Sequence, residues 1–475
     1  MAAAAVLRDR PSERAIDAMR ELLAPEGAAL DLAALRITVA CVLSFSTSIA
    51  SAPQWASLPV AARTLPLGVG WLAPHLPIDP DTVSTARVVF HLACALGAIG
   101  LFTRASWMVV TLSAFFLLLV PQLGGAVFHD HHLLWLAVIL AASPCGDALS
   151  IDAWLARRRG APRPDRARTH GLAVRLAWIV IGLVFFFPGV HKLAEQGLGW
   201  ALSDNLRNQM WWKWTQDPSL LPALRIDRHP WALHTLGLLT IAFELSFLPL
   251  VLAPRTRAIA VLGACVFHAG TQYFMGIEFS VLWATYPMFV PWQALLDRAR
   301  RLRGPGPVPI HAARRDQRRS QDPALRVLVA TSVPLFVGIV IFGAMGAMQA
   351  YPFACYPTFQ WAAPDHMPAL ELVAIDDEGR EHTIERASFQ EPGPRGWAMS
   401  WRLAGVYGRF DAAAFGAWLS DRSREPPLRD ALVGARAIRV ARVEIDVDPD
   451  GARDVVSRRV LTTMERRGEV WDVEE

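Results

Sequence analysis

Lysine is almost absent from this chain of 475 residues, although positive charge is not. Only Lys192 and Lys213 occur among 47 basic residues, so the other 45 are arginines. Lysine can lose its proton when it is desolvated and then act as a base, which arginine cannot do. Lys192 is therefore a candidate functional residue. The alternative is an interfacial lysine that extends its amine to water.

Charged residues and cysteines are also scarce, and this excludes several classes of protein. Only 19% of the residues are charged whereas 53% are hydrophobic, which is unlike a soluble globular domain. The five cysteines are odd in number and show no CxxC spacing, which argues against a disulfide framework or a zinc site. No glycine-rich phosphate loop, GxSxG or HExxH motif occurs, and no cleavable signal is evident.

Apolar segments long enough to cross a bilayer, which requires roughly 20 residues, dominate the first three quarters of the chain. Nine spans are predicted, at residues 30–52, 85–103, 105–121, 127–146, 171–190, 231–253, 256–274, 277–293 and 325–347. Arginines concentrate in alternate loops between them, so the net charge of +4 does not indicate nucleic-acid binding. Because cytoplasmic loops carry the excess of basic residues, we expect a cytoplasmic N-terminus and a C-terminus on the outer face of the membrane, which in a bacterial inner membrane is the periplasmic face.

The expected fold is an all-α polytopic membrane bundle of about nine transmembrane helices, followed by a small extramembrane α+β domain. Residues 1–29 form the predicted cytoplasmic segment, 30–347 the transmembrane domain and 348–475 the periplasmic domain. Within the last of these, alternating apolar residues at 369–375 and 437–445 predict strands, and Asp411–Leu419 predicts a helix.

Ionisable and polar side chains gather at the predicted outer ends of the spans. They are His129, Asp130, His131 and His132 in span four, His191 and Lys192 in span five, and His268, Thr271, Gln272 and Glu278 at spans seven and eight. Such groups at membrane depth are costly and usually mark a site or a pathway. The His-Asp-His-His run could instead hold zinc or iron, or be a loop without chemistry. His268 could also be a buried histidine with only a structural role.

Two lone charges lie within the spans themselves. Arg36 occupies the inner half of the first span, and Glu244 lies in the sixth, where we expect it to pair with an arginine or a histidine. Both residues are more typical of structural pairs within the bundle than of reactants.

Four stretches resemble the vitamin K-dependent γ-glutamyl carboxylase family, in particular its bacterial HTTM-type members. They are Leu32–Arg36, Asp130–Leu136 with Ser150-Ile151-Asp152, Gly189–Leu193, and Phe267-His268 with Gly276-Ile277 and Phe279-Ser280. They occur in the family's order, and the similarity covers residues of about 30 to 300. Gly189–Leu193 resembles the segment that holds the family's proposed catalytic lysine.

The resemblance implies a mechanism and a set of site residues. In the family, an uncharged lysine deprotonates a reduced quinone, oxygen adds, and the resulting base removes a γ-proton from a glutamate side chain, which then captures carbon dioxide. Lys192 would be the base, with His131 and His268 as further catalytic residues. The residues expected to contact the quinone are Asp130, His191, Thr271 and Arg36.

The implied cofactor is vitamin K hydroquinone or menaquinol, with oxygen and carbon dioxide as co-substrates and no metal. The expected partners are membrane lipid, the quinone and a secreted glutamate-containing peptide or protein. Two other readings stay open: a quinone- or lipid-binding membrane protein without carboxylase activity, and a structural or assembly factor whose polar clusters only hold helices together.

Overall fold

The computed structural model of the chain describes residues 21, 24–125, 130–302, 323–354, 359–389, 410–452 and 454–473. Most of the predicted segment 1–29, most of the arginine-rich loop 294–324, and His129 lie outside the described residues. The described residues form a membrane-type helical bundle and a small sheet-containing C-terminal region.

The described part of the membrane region is mainly helical and contains a few two-residue strands. Its α-helices are α1 (Ala29–Ser44), α2 (Thr47–Ala56), α3 (Pro80–Ile99), α4 (Thr103–Gln122), α5 (His131–Ala142), α6 (Ile151–Arg158), α7 (Arg168–Gln196), α8 (Gly199–Leu202), α9 (Asn205–Gln216), α10 (Pro230–Leu252), α11 (Arg257–Met275), α12 (Ser280–Trp283), α13 (Trp292–Leu302) and α14 (Pro323–Ala344). Single 3₁₀ turns cover Val60–Ala62, Gly70–His75, Pro218–Leu220, Ile226–Arg228 and Tyr286–Phe289.

Seven of these segments are long and apolar enough to cross a membrane, rather than the nine that were predicted. They are α1 with α2, which together cover 28 residues, and α3, α4, α7, α10, α11 and α14. The fourth predicted span, 127–146, contains the 12-residue helix α5, which is almost entirely buried. Ser143 and Pro144 follow this helix directly, and residues 126–129 before it lie outside the described residues.

The predicted eighth span, 277–293, is not a continuous helix. Helix α11 ends at Gly276, whose φ of 62° is the left-handed conformation that glycine adopts readily. Beyond it the chain forms only α12 and a 3₁₀ turn, with Pro287 and Pro291 interrupting further helix. Irregular backbone at membrane depth is tolerated where other protein groups satisfy it.

Side chains from other helices satisfy carbonyls of this segment. Trp178 of α7 donates its indole N–H to the carbonyl of Met288 at 3.0 Å. A ring nitrogen of His132 lies 3.2 Å from the carbonyl of Val281. The segment therefore depends on tertiary contacts that its own hydropathy does not reveal.

The helix ends define two faces of the bundle. At one face, which we call the Arg36 end, strand β1 (Gly27–Ala28) pairs with β3 (Arg166–Ala167), and the Gln293 amide donates to Asp31. At the other face, the Lys192 end, β2 (Leu67–Gly68) pairs in parallel with β4 (Ala350–Tyr351). The residues before α1 and the loop before α7 therefore meet at the Arg36 end, and the C-terminal region packs on the Lys192 end.

The C-terminal region is a five-stranded antiparallel sheet with strand order β6-β5-β7-β8-β9. The strands are β5 (His366–Asp376), β6 (Glu381–Ile384), β7 (Ala435–Asp446), β8 (Val455–Arg467) and β9 (Val470–Val473), and the helices are α15 (Arg386–Phe389), α16 (Ala412–Arg422) and α17 (Leu428–Ala431). The two predicted strands and the predicted helix are confirmed as parts of β5, β7 and α16. Asp411 caps α16 by accepting from the Ala414 amide.

Helix α9 joins this sheet to the bundle. Asn208 donates to the carbonyl of Ala363, and the indole of Trp212 donates to that of Pro364, both at 2.9 Å. Arg225, which follows α9, forms an ion pair with Asp450 in the turn between β7 and β8. The sheet is therefore attached to the Lys192 end of the bundle.

Candidate functional site

Two glycines of α7 bring this helix close to α10. A methyl group on Gly182 would lie 2.3 Å from the Leu248 side chain, and one on Gly189 would lie 3.0 Å from Cβ of Glu244. Small residues allow membrane helices to approach in this way. Lys192 lies one turn beyond Gly189 on the same side of α7, so its side chain is directed at α10.

Lys192 and Glu244 form a buried ion pair at this contact. The amine nitrogen lies 2.7 Å from Oε1 and 2.9 Å from Oε2 of Glu244. The two side chains are 3% and 6% exposed, so water screens the pair very little. The amine also lies 5.1 Å from the centre of the Trp200 ring. The prediction that Glu244 pairs with an arginine or a histidine is therefore wrong.

The pair opens onto a cavity between α7, α10, α11 and the irregular segment after α11. Its empty volume is about 900 Å³, including the open mouth. Aromatic and aliphatic side chains dominate the wall, which contains Val184, Phe185, Pro188, Trp200, Leu206, Phe267, Met275, Phe279, Val281, Leu282 and Phe359. The polar side chains in the wall are His132, Lys192, Gln209, Thr240, Glu244, His268, Thr271 and Glu278. Apolar walls with a few converging polar groups are typical of small-molecule sites.

Helix α9 and the residues before the C-terminal sheet form the wall of the cavity nearest the sheet. The indole of Trp200 donates to the carbonyl of Phe359 at 2.6 Å. The Gln209 amide donates to Asn205 and to the carbonyl of Trp361. The C-terminal region therefore contributes directly to the wall of the cavity, which the sequence did not predict.

Of the predicted catalytic residues, Lys192 and His268 both line the cavity. His268 shares a hydrogen bond with the Tyr286 hydroxyl at 2.7 Å, and its ring packs against Phe279 and Phe185. Thr271, predicted to contact the quinone, is also in the wall and donates to the carbonyl of His268.

The histidine of α5 that faces the cavity is His132. His131, predicted to be catalytic, is 1% exposed and packs edge to face on Tyr351 of β4, with ring centres 5.1 Å apart. Adjacent residues of a helix point about 100° apart, and here His132 lines the cavity whereas His131 packs on Tyr351. The role predicted for His131 stays a prediction, and His132 is the histidine of α5 that lines the cavity together with Lys192.

Two further residues predicted to contact the quinone, His191 and Asp130, have other partners. A ring nitrogen of His191 lies 2.8 Å from the carbonyl of Gly343 in α14. Asp130 accepts a hydrogen bond from the hydroxyl of Ser46. The carboxylate beside Lys192 is thus Glu244, while Asp130 is held by the start of α2.

Arg36 lies fully buried near the opposite face of the bundle. It donates at 2.6 Å to the carbonyls of Cys145 and Leu149, and at longer distances to those of Ala98 and Ala148. These contacts hold the loop between α5 and α6 against the end of α3. In this arrangement Arg36 caps backbone carbonyls, and it is not among the residues that line the Lys192 cavity.

A metal site is not evident in the part of the chain that the structure describes. No group of three or more histidine, cysteine, aspartate or glutamate side chains there is arranged to hold an ion. The expectation of a metal-free site stays a prediction.

The cavity and its helices fall within a stretch that can be compared with known families. The model of the HTTM domain matches residues 32–293, which is more than half of the chain and includes every helix that lines the cavity. Comparisons with curated proteins and with solved structures gave no match. The chain is thus a membrane protein that belongs to the HTTM domain family, the domain of the vitamin K-dependent γ-carboxylases.

Proposed function

We propose that the chain is a quinol-dependent membrane enzyme of the γ-glutamyl carboxylase type, in which the Lys192–Glu244 pair provides the base. The observation that carries this proposal is the buried ion pair at the wall of a cavity lined by aromatic rings. Ionisable groups buried at membrane depth are costly to retain, and they usually mark function.

The pair holds one proton that either partner can carry. With the proton on Lys192, the two side chains form an ion pair, and with the proton on Glu244 they form a neutral amine and a carboxylic acid. The second arrangement provides an amine that can accept a proton from a hydroxyl group in the cavity. Neither arrangement changes the net charge of the buried pair, so Glu244 allows the amine to become neutral without leaving an unpaired charge.

The cavity suits a flat aromatic diol with an apolar tail. Phe185, Phe267 and Phe279 provide aromatic surface, and Lys192 provides an amine in the same wall that can bind a hydroxyl group. A bound reduced quinone would supply, with oxygen, the strong base that the family uses to remove a glutamate γ-proton before carbon dioxide is captured.

The same proposal includes location and partners. We place the chain in a bacterial inner membrane with a cytoplasmic N-terminus, propose menaquinol as the reduced quinone, and assign the Lys192 end to the periplasmic side. His132 takes the positioning role at the cavity because it lines the wall. A secreted glutamate-containing peptide is the proposed acceptor of carbon dioxide.

Turnover of a reduced naphthoquinone by the purified protein tests the proposal. Lys192→Arg keeps the positive charge but cannot act as a base, so quinol epoxidation should fall by about 10²–10⁴-fold, the usual contribution of general-base catalysis. Lys213→Arg is the matched control because Lys213 is the other lysine and does not line the cavity. Full epoxidation by Lys192→Arg would contradict the assignment of the base.

A second candidate function is quinone or lipid binding without carboxylation. The bidentate contact with Glu244 favours it, because a carboxylate at 2.7 Å also stabilises the charged ammonium, which can bind a hydroxyl but cannot deprotonate it. Stoichiometric binding of a reduced naphthoquinone without epoxide formation would support this function. Absence of binding would instead support a structural role for the pair.

A further inference from the structure

Among the described residues, strand β8 has no second neighbouring strand along the half that lies nearest the bundle, so its edge there is open. Over its length β8 pairs with β7, whereas β9 pairs only with Met464–Arg467. The residues from Val455 to Val460 are all exposed. Backbone amides and carbonyls on an open strand edge can pair with another extended chain.

The pairing with β7 limits the regular part of this edge. Extra residues at Val456 and Leu461 interrupt the register, so the uninterrupted stretch is Ser457–Val460. Bulges and charges are common means of restricting an edge strand. Here they leave room for a short extended segment in a defined position.

The positive charge of the β8 edge determines which kind of extended chain can pair with it. Strand β8 contains Arg458, Arg459, Arg466 and Arg467 but only one acidic residue, Glu465. Arg458 forms an ion pair with Glu371 of β5, while Arg459 is exposed and forms no ion pair with a described residue. Two copies of this edge would repel each other, whereas an acidic strand would be attracted.

The position of the edge connects it to the cavity. The turn that precedes Val455 is attached to the bundle, since Asp450 pairs with Arg225 and the Val447 carbonyl accepts from Thr215 of α9. Helix α9 also supplies Leu206 and Gln209 to the cavity wall. A peptide that leaves the edge at Val455 therefore emerges at the Lys192 end of the bundle.

We propose that the open edge of β8 docks an extended acidic peptide by strand addition, the mode in which backbone hydrogen bonds supply affinity and side chains supply selectivity. This rests on the proposed function, in which the same peptide presents glutamate side chains to the cavity.

Binding of a fluorescent peptide of alternating glutamate and threonine to the full-length protein in detergent tests the docking. Arg459→Glu should weaken binding by about tenfold or more, because it places like charges opposite each other. Arg436→Glu is the matched control: Arg436 is exposed on β7, and its substitution makes the same charge change away from the β8 edge. The same peptide with alternate amides N-methylated should lose binding, because strand addition needs those donors.

The outcomes separate the docking from the proposed chemistry. Equal binding of the N-methylated peptide, or equal effects of Arg459→Glu and Arg436→Glu, would overturn strand addition at this edge even if quinol turnover is present. Self-association that Arg459→Glu alters, without peptide binding, would identify a second copy as the occupant and also overturn it. Peptide binding that is weakened by Arg459→Glu and by N-methylation, without any quinol turnover, would support the docking and contradict the proposed reaction.

Discussion

Replacement of Glu244 by glutamine should destabilise the protein far more than the same change at an exposed ion pair. The substitution keeps the size of the side chain and removes its charge, so the Lys192 ammonium loses its counterion in a site where both side chains are at most 6% exposed. Breaking a buried pair by removing one partner costs about 3–5 kcal/mol.

The geometry supports this magnitude. With the amine nitrogen 2.7 and 2.9 Å from the two carboxylate oxygens, the charge centres lie roughly 3 Å apart, and the attraction is about 5–6 kcal/mol at an effective dielectric constant of about 20. The exposed control is Glu381→Gln, because Glu381 also makes two hydrogen bonds to one cation, Arg439, at 2.8 and 2.7 Å. Exposed pairs contribute at most about 1 kcal/mol, so the control should lose no more than that.

The measurement is the free energy of unfolding in mixed micelles, followed by tryptophan fluorescence. A double variant, Lys192→Met with Glu244→Leu, should recover most of the loss, because an apolar pair of similar volume requires no desolvation of charges. If Glu244→Gln costs no more than Glu381→Gln, the two groups are not a buried ion pair, and the amine is already neutral in the resting protein.

Three further outcomes are expected. Arg36→Met should lower the free energy of unfolding by about 3 kcal/mol or more, because charged hydrogen bonds contribute about 1.5–3 kcal/mol each, while quinone binding at the other face is unchanged. Desolvation lowers the pKa of Lys213 from 10.5 to about 8, so between these pH values the folded state binds fewer protons than the unfolded state. The free energy of unfolding should therefore rise with pH across this range, and Lys213→Met should remove that rise. Hydrogen bonds from Arg225 and Arg228 lower the pKa of Asp450 from 3.8 to about 2. This attachment of the sheet is therefore present above pH 4 and should be lost as the pH falls through 2. Hydrogen exchange in the β7–β8 turn would show the loss.

The general architecture could be predicted because the length of each apolar segment can be read from the sequence alone. Six of the nine predicted spans correspond to single long helices, and the first corresponds to α1 with α2. The segment 277–293 has the same apolar character but is not a continuous helix, and Trp178 and His132, far away in sequence, contact its carbonyls. Contacts of this kind are invisible to a hydropathy pattern.

The sequence also does not show which side of α5 faces the cavity, and this limited the prediction of the site. The family resemblance selects His131 from a run of histidines, but neighbouring positions on α5 differ by about 100° in direction. The packing of α5 against β4 places His131 on Tyr351 and turns His132 toward the cavity. That packing depends on a strand more than 200 residues away, so the local sequence could not decide between the two histidines.

The partner of Lys192, in contrast, left a signal in the sequence. Gly182 and Gly189 are spaced two turns apart, and Lys192 follows one turn later on the same face, which predicts close contact of that face with another helix. Among the apolar residues of the sixth span, Glu244 is the charged group that such a contact could neutralise. A buried lysine needs a counterion on the facing helix, and expecting Glu244 to pair with an arginine or a histidine overlooked the lysine already identified as unusual. The rare lysine is therefore one member of the Lys192–Glu244 ion pair, and the function of Lys192 has to be tested together with that of Glu244.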